Sequence, residues 1–573
     1  MATQYHINAE RFSEHLLEIK LKFQAPQNQF SLWLPAWVPG SYLIREFSRF
    51  VEQVRLIGVD GEPVDQLLVK TSKNNWQVEA PKDSELTVVY QVYTRDLSVR
   101  GSYVDAERLY LNSPSICLCV QGLEEQKHEV LLSVPEAMSE FGFACALEHT
   151  KSDDQIHFSA PNYDTLIDSP FELADQQRFA FEVAGIPHRY VISGRNRANL
   201  ERLKVDLQQL CGTFLHWLPD TNFSHYLFMT IATSSDYGGL EHQHSTSLIT
   251  PAGDLPGASE PKLPSENYQR YLGLCSHEYF HAWWVKWVRP TAFRTPDLST
   301  EAYTRMLWVF EGFTSYVDDL MLYRSGLIDA KSYLKLVEAQ INRYLQTPGR
   351  ELQNVTESSF DAWIKLYRSD ENSINATASY YNVGALCALC LDLMLRESGH
   401  QLTDLIAEVV AESKQGADLT EARLDELFSE RLGARWDQFK SAHIDGAQEL
   451  PLEDLLAKSG VKVVADTEDL ELGIRYTEES TGLMVNRVMR GSTAVHAGIS
   501  AGDLLVAIDG YKASKTILKS SLTLDRVDIH FFRRDELKTT SLTPDQTQFK
   551  KLKLSVGSAD DLSKWLSCSW SQQ

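Results

Sequence analysis

Two histidines with helical spacing offer the clearest chemistry in this sequence. Residues 277–281 read His-Glu-Tyr-Phe-His. On a helix, positions i and i+4 lie on the same face, so His277 and His281 could offer two imidazole nitrogens to one metal ion. Glu278 would project beside them, within reach of a water that such an ion activates. A catalytic zinc site usually has three protein ligands and one open position, so one ligand remains to be found.

The local sequence predicts a helix around this motif. Ser265 is suited to the N-cap position, and it follows a loop-like run over 251–264. Pro290 would end the helix. A motif this short also arises by chance, and the alternative is two ordinary histidines on a surface or core helix.

A second predicted helix carries the candidate for the third ligand. Glu311 stands in an otherwise apolar stretch, where an unpaired charge is costly, so it is expected to have a partner. Glu301 is a nearby carboxylate that is predicted at the start of this helix, where a capping role would suffice. Apolar residues recur with helical periodicity between Thr300 and Gly326, at Tyr303, Met306, Leu307, Phe310, Phe313, Val317, Leu320 and Met321.

A zinc helix followed by Glu-Gly-Phe-x-x-Tyr, here 311–316, resembles the gluzincin metallopeptidases. The resemblance implies that Glu311 is the third ligand of one Zn²⁺ ion per chain, with Glu278 as the general base. One departure is the spacing: 29 residues separate His281 from Glu311, more than in the best-known aminopeptidase branch of that clan. With the features below, the chain resembles the glycyl aminopeptidase family, whose members carry a C-terminal PDZ domain.

Two adjacent glycines, Gly238 and Gly239, precede Glu241 and a strand-like run. Glycines allow another backbone to approach closely, and an edge strand here could accept an extended peptide by backbone pairing. In related aminopeptidases a segment of this type supplies a glutamate that binds the α-ammonium group of the substrate, which implies that role for Glu241. The alternatives are a β-bulge with a surface glutamate and, for His242 and His244, a second metal site.

The segment Ser379–Ala385 resembles the Tyr-x-x-Gly element of aminopeptidases, in which a tyrosine hydroxyl donates a hydrogen bond to the oxyanion. Aligned on Gly384, that tyrosine is Tyr381, with Tyr380 as the alternative. A structural role for both rings at a helix start remains open. The segment Pro35–Tyr42 also resembles a family signature, but we interpret it as a rigid Pro/Gly turn rather than a substrate contact.

Four segments of the chain differ in pattern, and together they predict a multidomain α+β protein. Residues 1–175 show short alternating strands, typical of an all-β sandwich or saddle. Residues 176–454 mix a few strands with many predicted helices, as expected for a thermolysin-like catalytic domain. Residues 455–556 form a third module, and 557–573 a short C-terminal tail.

The third module resembles a PDZ domain, most clearly over 491–499 and 501–510. By that resemblance the turn Leu472-Gly473-Ile474 would offer backbone N–H groups to the C-terminal carboxylate of a peptide, with strand addition alongside. The alternative is a structural appendage that binds nothing.

Composition and charge indicate which kinds of molecule this protein is unsuited to bind. The formal net charge of −23 argues against nucleic acid or an anionic membrane. The start of the sequence lacks the pattern of a secretory signal, and no run is expected to be long and apolar enough to cross a membrane. Eight scattered cysteines indicate reduced thiols in a cytoplasm. The pair Cys387 and Cys390 is predicted to be buried in a helix.

The resemblance therefore implies a zinc aminopeptidase that removes small N-terminal residues, glycine and then alanine, from peptides with a free N-terminus. Two alternatives stay open at this point. One is a zinc endopeptidase of the same clan, and the other is a PDZ adaptor or scaffold whose peptidase domain is vestigial.

Overall fold

The computed structural model describes residues 2–58, 60–465, 472–544 and 550–568. The chain divides into two compact units. The first comprises Met1–Tyr303 with Ser325–Ile328 and Val409–Leu419, and the second comprises Thr304–Arg324, Asp329–Glu408 and Thr420–Gln573.

The first unit begins with the predicted β-rich region, in which apolar side chains alternate along the strands. Strand β7, for example, buries every second residue, as a sheet with one solvated face requires. Three sheets form, with strand orders β13-β14-β11-β1-β2-β7-β4, β10-β3-β6-β5 and β12-β15-β9-β8. One short helix, α1, spans Tyr163–Ile167. The strands are β1 (Thr3–Asn8), β2 (Leu16–Gln24), β3 (Gln29–Trp33), β4 (Val51–Ile57), β5 (Leu68–Ser72), β6 (Asn75–Glu79), β7 (Glu85–Tyr93), β8 (Tyr103–Val104), β9 (Arg108–Leu111), β10 (Cys119–Val120), β11 (His128–Ser133), β12 (Gly142–Cys145), β13 (His149–Lys151), β14 (Gln155–Ala160) and β15 (Phe171–Ala174).

The rest of the first unit is a five-stranded sheet with order β16-β17-β18-β20-β19, followed by the helix of the histidine motif. Strand β19 contains the two glycines and Glu241, and it lies at the edge of the sheet, as predicted. Its partner β20 runs antiparallel to it. The elements are β16 (Gln177–Val183), β17 (Ile186–Ser193), α2 (Leu200–Trp217), β18 (Tyr226–Thr233), β19 (Gly238–Glu241), β20 (Ser245–Pro251) and α3 (Glu266–Phe280).

Residues 304–458 are mostly helical, as their periodicity predicted. Helices α4 and α8 cross at two glycines: a Cβ atom added to Gly312 would lie 2.5 Å from the Cα atom of Gly384. Such close backbone approach needs glycine on both helices. The crossing therefore holds the helix that carries Glu311 against the helix that begins at Tyr380. The helices are α4 (Leu307–Arg324), α5 (Ala330–Leu345), α6 (Val355–Phe360), α7 (Ser373–Ala376), α8 (Tyr380–Glu397), α9 (Leu402–Ser413), α10 (Glu421–Leu432), α11 (Ala434–Phe439) and α12 (Leu452–Lys458).

The stretch Ser373–Glu397, which includes α8, is long and apolar enough to cross a membrane by length and composition. The prediction that no run reaches that length was therefore wrong. However, 89% of its most apolar window is buried inside the protein, as expected for a core helix. Cys387 and Cys390 lie in this buried stretch, as predicted, and burial raises the pKa of Cys387 to about 12.

The C-terminal module has a sheet of order β22-β23-β24-β26-β27, with β25 paired to β24, and it has its own core. Leu483, Leu505 and Ile508 are fully buried there. Its assignment as a PDZ domain, like the domain boundaries, stays a prediction, and residues 569–573 of the predicted tail lie outside the described residues. The elements are β21 (Val461–Ala465), β22 (Ile474–Glu479), β23 (Gly482–Val488), α13 (Thr493–His496), β24 (Leu504–Ile508), β25 (Tyr511–Lys512), α14 (Lys515–Ser521), β26 (Val527–Arg533), β27 (Glu536–Leu542), β28 (Leu552–Val556) and α15 (Ala559–Leu566).

Candidate metal centre and substrate site

Helix α3 starts where the sequence predicted but ends earlier. The side chain of Ser265 accepts a hydrogen bond from the backbone N–H of Tyr268, which caps the first turn. The helix ends at Phe280, not near Pro290, and His281 is its C-cap. The reason is a tight turn that follows at once: the N–H of Lys286 donates to the carbonyl of His281, which draws the chain away from the helix axis.

This turn orients His281. Its Nδ1 atom lies 2.7 Å from the carbonyl oxygen of Trp284. A carbonyl only accepts, so Nδ1 carries the proton and Nε2 keeps a lone pair. That Nε2 lies 3.1 Å from Nε2 of His277. Two nitrogens that each bind one zinc ion at about 2.0–2.1 Å in tetrahedral geometry would be about 3.3 Å apart, so the pair is already spaced for a shared ion.

Glu311 is the third predicted metal ligand, beside His277 and His281. It is buried on α4, between the fully buried Phe310 and Phe313. One ligand atom from each of His277, His281 and Glu311 lies within 4.8 Å of the others, and within the described part of the chain this is the one such cluster of histidine, cysteine or acidic residues. Two imidazoles and one carboxylate are the ligand set of many catalytic zinc sites. The predicted convergence of these three side chains is thus confirmed.

Helix α4 begins at Leu307, so the prediction that it starts near Thr300 was wrong, and Glu301 does not cap it. Two N–H groups at this helix start have side-chain partners instead. The N–H of Met306, just before the helix, donates to the hydroxyl of Thr304, and that of Trp308 donates to the hydroxyl of Ser359. Tyr303, which was placed on the apolar helix face, is 47% exposed.

Glu278 lies against the edge strand β19. It is buried, and a Cβ atom at Gly239 would overlap its carboxylate. Gly239 is therefore required for the close approach of β19 and α3. The carbonyl oxygen of Gly239 also accepts a hydrogen bond of 3.1 Å from the guanidinium group of Arg100. No sequence motif indicated Arg100 as part of the site. Gly239 thus lies beside the candidate base, while the contact of Gly238 and Gly239 with substrate stays a prediction.

Glu241, at the end of β19, is 4% exposed, and its Oε1 atom has no hydrogen-bond partner among the described residues. The turn over 35–42 packs directly on it. A Cβ atom at Gly40, where φ is +92°, would lie 2.5 Å from that same Oε1. The sequence predicted a rigid Pro/Gly turn here but not its position, because only the folded chain brings Gly40 to the Glu241 carboxylate.

The histidines after Glu241 do not form a second metal site in the described structure. Nδ1 of His242 lies 3.2 Å from a carboxylate oxygen of Asp168, and the ammonium of Lys286 lies 2.6 Å from the same oxygen. Burial alone would raise the pKa of Asp168, but Lys286 and His242 hold it well below its ordinary value. The ring of His244 stacks on His225 instead.

Three tyrosine hydroxyls form a chain at the start of α8. Tyr380 donates to the hydroxyl of Tyr367 over 3.0 Å, and the hydroxyl of Tyr367 lies 2.7 Å from that of Tyr381. Tyr367 belongs to a short turn, where no periodic pattern marks it, so sequence reasoning missed it. Tyr380 is fully buried, whereas Tyr381 is partly exposed.

A buried histidine packs under α3 and should make the protein sensitive to acid. His188 Nδ1 lies 2.9 Å from the carbonyl oxygen of Ile186, and Nε2 lies 2.9 Å from the hydroxyl of Tyr279. Burial lowers the pKa of His188 to about 4. Between pH 6.5 and about 4 the unfolded chain binds a proton there that the folded protein does not, so the free energy of unfolding should fall by up to about 3 kcal/mol.

Urea unfolding at pH 7, 5.5 and 4.5 checks this expectation with a His188→Gln variant and an exposed control, His157→Gln. The His188→Gln variant should lose less stability on acidification than the wild type, and the control should lose as much. Equal acid sensitivity of all three proteins would contradict the assignment.

Comparison with known proteins found both family matches and similar structures. Residues 4–175 match the Peptidase M61 N-terminal domain, and residues 270–387 match the M61 glycyl aminopeptidase family. The crystal structure of an aminopeptidase N family protein from Idiomarina loihiensis is 36% identical, covers 99% of this chain and 100% of that chain, and superposes with a TM-score of 0.94. An M1 zinc metallopeptidase from Deinococcus radiodurans aligns at 14% identity over 79% of this chain and 95% of that chain, with a TM-score of 0.48. A search of curated proteins gave no match.

The matched family and the His-His-Glu cluster define a metallo-aminopeptidase. Since the two matched regions cover both the β-rich start of the chain and its histidine motif, and the Idiomarina protein aligns along nearly the full length, the chain belongs to the M61 glycyl aminopeptidase family.

Proposed function

We propose that this protein is a zinc-dependent aminopeptidase that removes small N-terminal residues, glycine and then alanine, from peptides with a free N-terminus. One observation supports the exopeptidase part most strongly. Strand β19 holds a buried carboxylate, Glu241, two residues from the glycine that packs on Glu278. A cation-binding group thus lies a short distance along one strand from the candidate base.

The ligand set fits zinc. His281 is held in the tautomer in which Nε2 carries the lone pair, and that atom lies 3.1 Å from Nε2 of His277, close to the separation of two ligands of one ion. Glu311 would add the negative charge of a third ligand. When bound, zinc would supply Lewis acidity, which acidifies water and polarises a carbonyl.

Glu278 would act as general base and later as general acid. Its carboxylate is fixed between α3 and the backbone at Gly239, so it is already oriented toward the strand along which the peptide would lie. It would take a proton from the attacking water and pass it to the leaving amine.

Glu241 would bind the α-ammonium group of the substrate. Its Oε1 atom is buried and has no partner among the described residues, which is costly unless a ligand supplies a donor. An ammonium group has three N–H donors and a positive charge. The Glu241 carboxylate oxygen is a negatively charged acceptor, so it is suited to bind such a group. An acetylated N-terminus lacks the charge and would be rejected.

Tyr381 would donate a hydrogen bond to the oxyanion. Tyr380 donates to the hydroxyl of Tyr367, and the hydroxyls of Tyr367 and Tyr381 lie 2.7 Å apart, so Tyr381 is one end of a chain of three hydroxyls. Hydrogen bonds in such a chain polarise one another, which strengthens the terminal donor. Tyr380, the alternative donor, is fully buried and already donates to Tyr367.

The C-terminal module would bind the C-terminus of a peptide at the turn Leu472-Gly473-Ile474. Gly473 has φ +75°, and the carbonyls of Leu472 and Gly473 accept from the N–H groups of Ala494 and Met489, so the turn is fixed on both sides. We propose a cytoplasmic location, because all eight cysteines are buried thiols that form no disulfide.

A substitution at Gly40 tests the role of Glu241. In Gly40→Ala the new methyl group would displace the Glu241 carboxylate, so kcat/KM for peptides with a free N-terminus should fall about 100-fold, the cost of a displacement of about 1 Å in a catalytic site. Gly122→Ala is a matched control: its φ is +89°, but its nearest neighbour is Pro26 at 3.5 Å. The control should lose stability but keep its activity.

Two results would overturn the exopeptidase assignment. One is an equal loss of activity in both glycine variants. Backbone strain at a positive φ would then explain the effect of Gly40→Ala, with no part played by Glu241. The other is hydrolysis of an N-acetylated peptide as fast as of the free peptide, which would favour the endopeptidase alternative.

Substrate preference is tested with a panel of aminoacyl-anilides. Glycyl and alanyl anilides should be cleaved faster than leucyl and phenylalanyl anilides, and a chelator should stop all four reactions, since removal of the metal removes the Lewis acid. Faster cleavage of the bulky substrates would contradict the preference for small residues without affecting the metallopeptidase assignment.

A further inference from the structure

Arg100, in a loop of the β-rich region, reaches the strand along which a peptide substrate would lie. Its Nη2 atom donates a hydrogen bond of 3.1 Å to the carbonyl oxygen of Gly239. Its guanidinium group also lies beside Gly238, because a Cβ atom added to that glycine would be 3.5 Å from Nη1. The guanidinium group therefore lies at the opposite end of β19 from Glu241, and all of these residues belong to the first unit.

Among the described residues, no carboxylate forms an ion pair with the guanidinium group of Arg100. Arginine carries five N–H donors, and within the described structure the bond to Gly239 is the one that this side chain donates. Its Nε atom is buried without a hydrogen-bond partner in the same part of the chain. A partly buried cation that lacks an anionic partner is costly, so a bound carboxylate would stabilise it.

Hydrogen bonds fix the loop that carries Arg100. The backbone N–H of Arg100 donates to the hydroxyl of Ser98 over 3.1 Å, and its carbonyl accepts from the side-chain amide of the buried Asn112 over 3.2 Å. The hydroxyl of Tyr110 lies 3.1 Å from the carbonyl oxygen of the preceding residue and 2.8 Å from the hydroxyl of Ser247, on β20. The loop is thus attached to the sheet that contains β19, and a group held in this way loses little conformational freedom when a ligand binds.

The order of groups along β19 gives the direction of the peptide. Under the proposed function, the substrate ammonium group binds Glu241, and Glu278 acts beside Gly239. The first peptide bond must lie near that base, so the peptide would run from Glu241 past Gly239 to Arg100. Residues of an antiparallel strand rise about 3.4 Å each, so Gly239 and Gly238 lie about 7 and 10 Å along the strand from Glu241. An extended dipeptide spans at most about 7 Å and a tripeptide about 11 Å.

We propose that Arg100 binds the C-terminal carboxylate of the substrate, and that the protein therefore prefers dipeptides and tripeptides to longer peptides. This inference rests on the proposed function, because it takes Glu241 as the site of the ammonium group. Both charges of a short peptide would then meet an opposite charge, the ammonium at Glu241 and the carboxylate at Arg100. A longer peptide would place a neutral peptide group at Arg100, and it would gain less from the guanidinium group.

Hydrolysis of alanine peptides as free acids and as C-terminal amides tests the proposal. In the wild type, kcat/KM for the dipeptide or tripeptide acid should exceed that for its amide by about tenfold or more, the usual effect of a hydrogen bond between charged groups. A series of acids from two to six residues should give the highest kcat/KM at two or three. In Arg100→Gln, which has N–H donors but no charge, the acid-to-amide ratio should fall to about one. General damage to the fold lowers both rates and cancels in this ratio.

Two further variants make the comparison specific. Arg100→Lys keeps the positive charge and should keep part of the preference for acids. Arg55→Gln is the matched control, because Arg55 is an exposed arginine on β4 of the same unit, and this variant should keep the wild-type ratio.

Equal rates for acids and amides in the wild type would overturn this role of Arg100, and that measurement needs no variant. The role is also overturned if Arg100→Gln keeps the wild-type ratio, or if peptides of five or six residues are cleaved faster than the short ones. These results would leave the proposed function in place, because the protein would still release N-terminal residues. Hydrolysis of none of these peptides would instead contradict the proposed function, and the role of Arg100 with it.

Discussion

Glu278→Gln should reduce kcat for peptide hydrolysis by about 10²–10⁴-fold while the metal stays bound. Glutamine has the shape of glutamate but cannot take a proton from water, so the loss should lie in the chemical step. The three metal-binding side chains, His277, His281 and Glu311, are not touched by the change. Steady-state kinetics and metal analysis on the same preparation measure both quantities.

A glutamate on the exposed face of the same helix provides the control. Glu266 lies in the first turn of α3, and Glu266→Gln should keep full activity. Hydrolysis that survives in Glu278→Gln would remove this residue from the mechanism. No hydrolysis of any peptide by the wild-type protein with its metal bound would instead favour the adaptor alternative, in which the peptidase domain is vestigial.

Glu311→Gln should release the metal. The variant keeps the size of the side chain but loses the negative charge that balances a divalent ion. Loss of a residue that only hydrogen-bonds to a metal ligand lowers metal affinity by about 10–100-fold, so loss of a ligand itself should lower it by more than about 100-fold. Activity should fall in parallel at low metal concentration and return in part when zinc is added in excess. Competition with a chromogenic chelator measures the affinity.

Glu301→Gln is the matched control, because it removes a nearby carboxylate that lies outside α4. It should bind metal as the wild type does. An unchanged affinity in Glu311→Gln would show that the metal has a different third ligand, and the spacing of 29 residues between His281 and Glu311 would then need another explanation.

Several features of the fold and the site could be predicted from short patterns in the sequence. Ser265 was assigned as a cap from its type and position, and its hydroxyl caps α3 in the structure. The metal ligands were also found locally, because two histidines at i and i+4 and a lone acid in an apolar helix leave few alternatives.

The errors arose at helix ends, where particular hydrogen bonds rather than helical periodicity decide the structure. The end of α3 is set by the hydrogen bond from Lys286 to the His281 carbonyl, and helical propensity alone would have carried the helix further. The start of α4 is set by Ser359, 51 residues beyond Trp308 in sequence. Neither hydrogen bond corresponds to a periodic pattern of residues, so the sequence alone did not indicate it.

Two parts of the candidate site could not be predicted for a similar reason. Gly40 lies some two hundred residues from Glu241, and only the packing of the β-rich region brings it to that carboxylate. Tyr367 lies in a turn, so its hydroxyl chain with Tyr380 and Tyr381 depends on how that turn folds back on α8. Alignment on Gly384 chose Tyr381, which is partly exposed where Tyr380 is buried, and the choice between the two stays a prediction.

X-ray diffraction from crystals of the protein at the zinc absorption edge tests the central claim most directly. A single anomalous peak per chain should appear about 2.0–2.2 Å from Nε2 of His277, Nε2 of His281 and a carboxylate oxygen of Glu311. A peak at any other place, or one that these three side chains do not surround, would contradict the proposed metal centre.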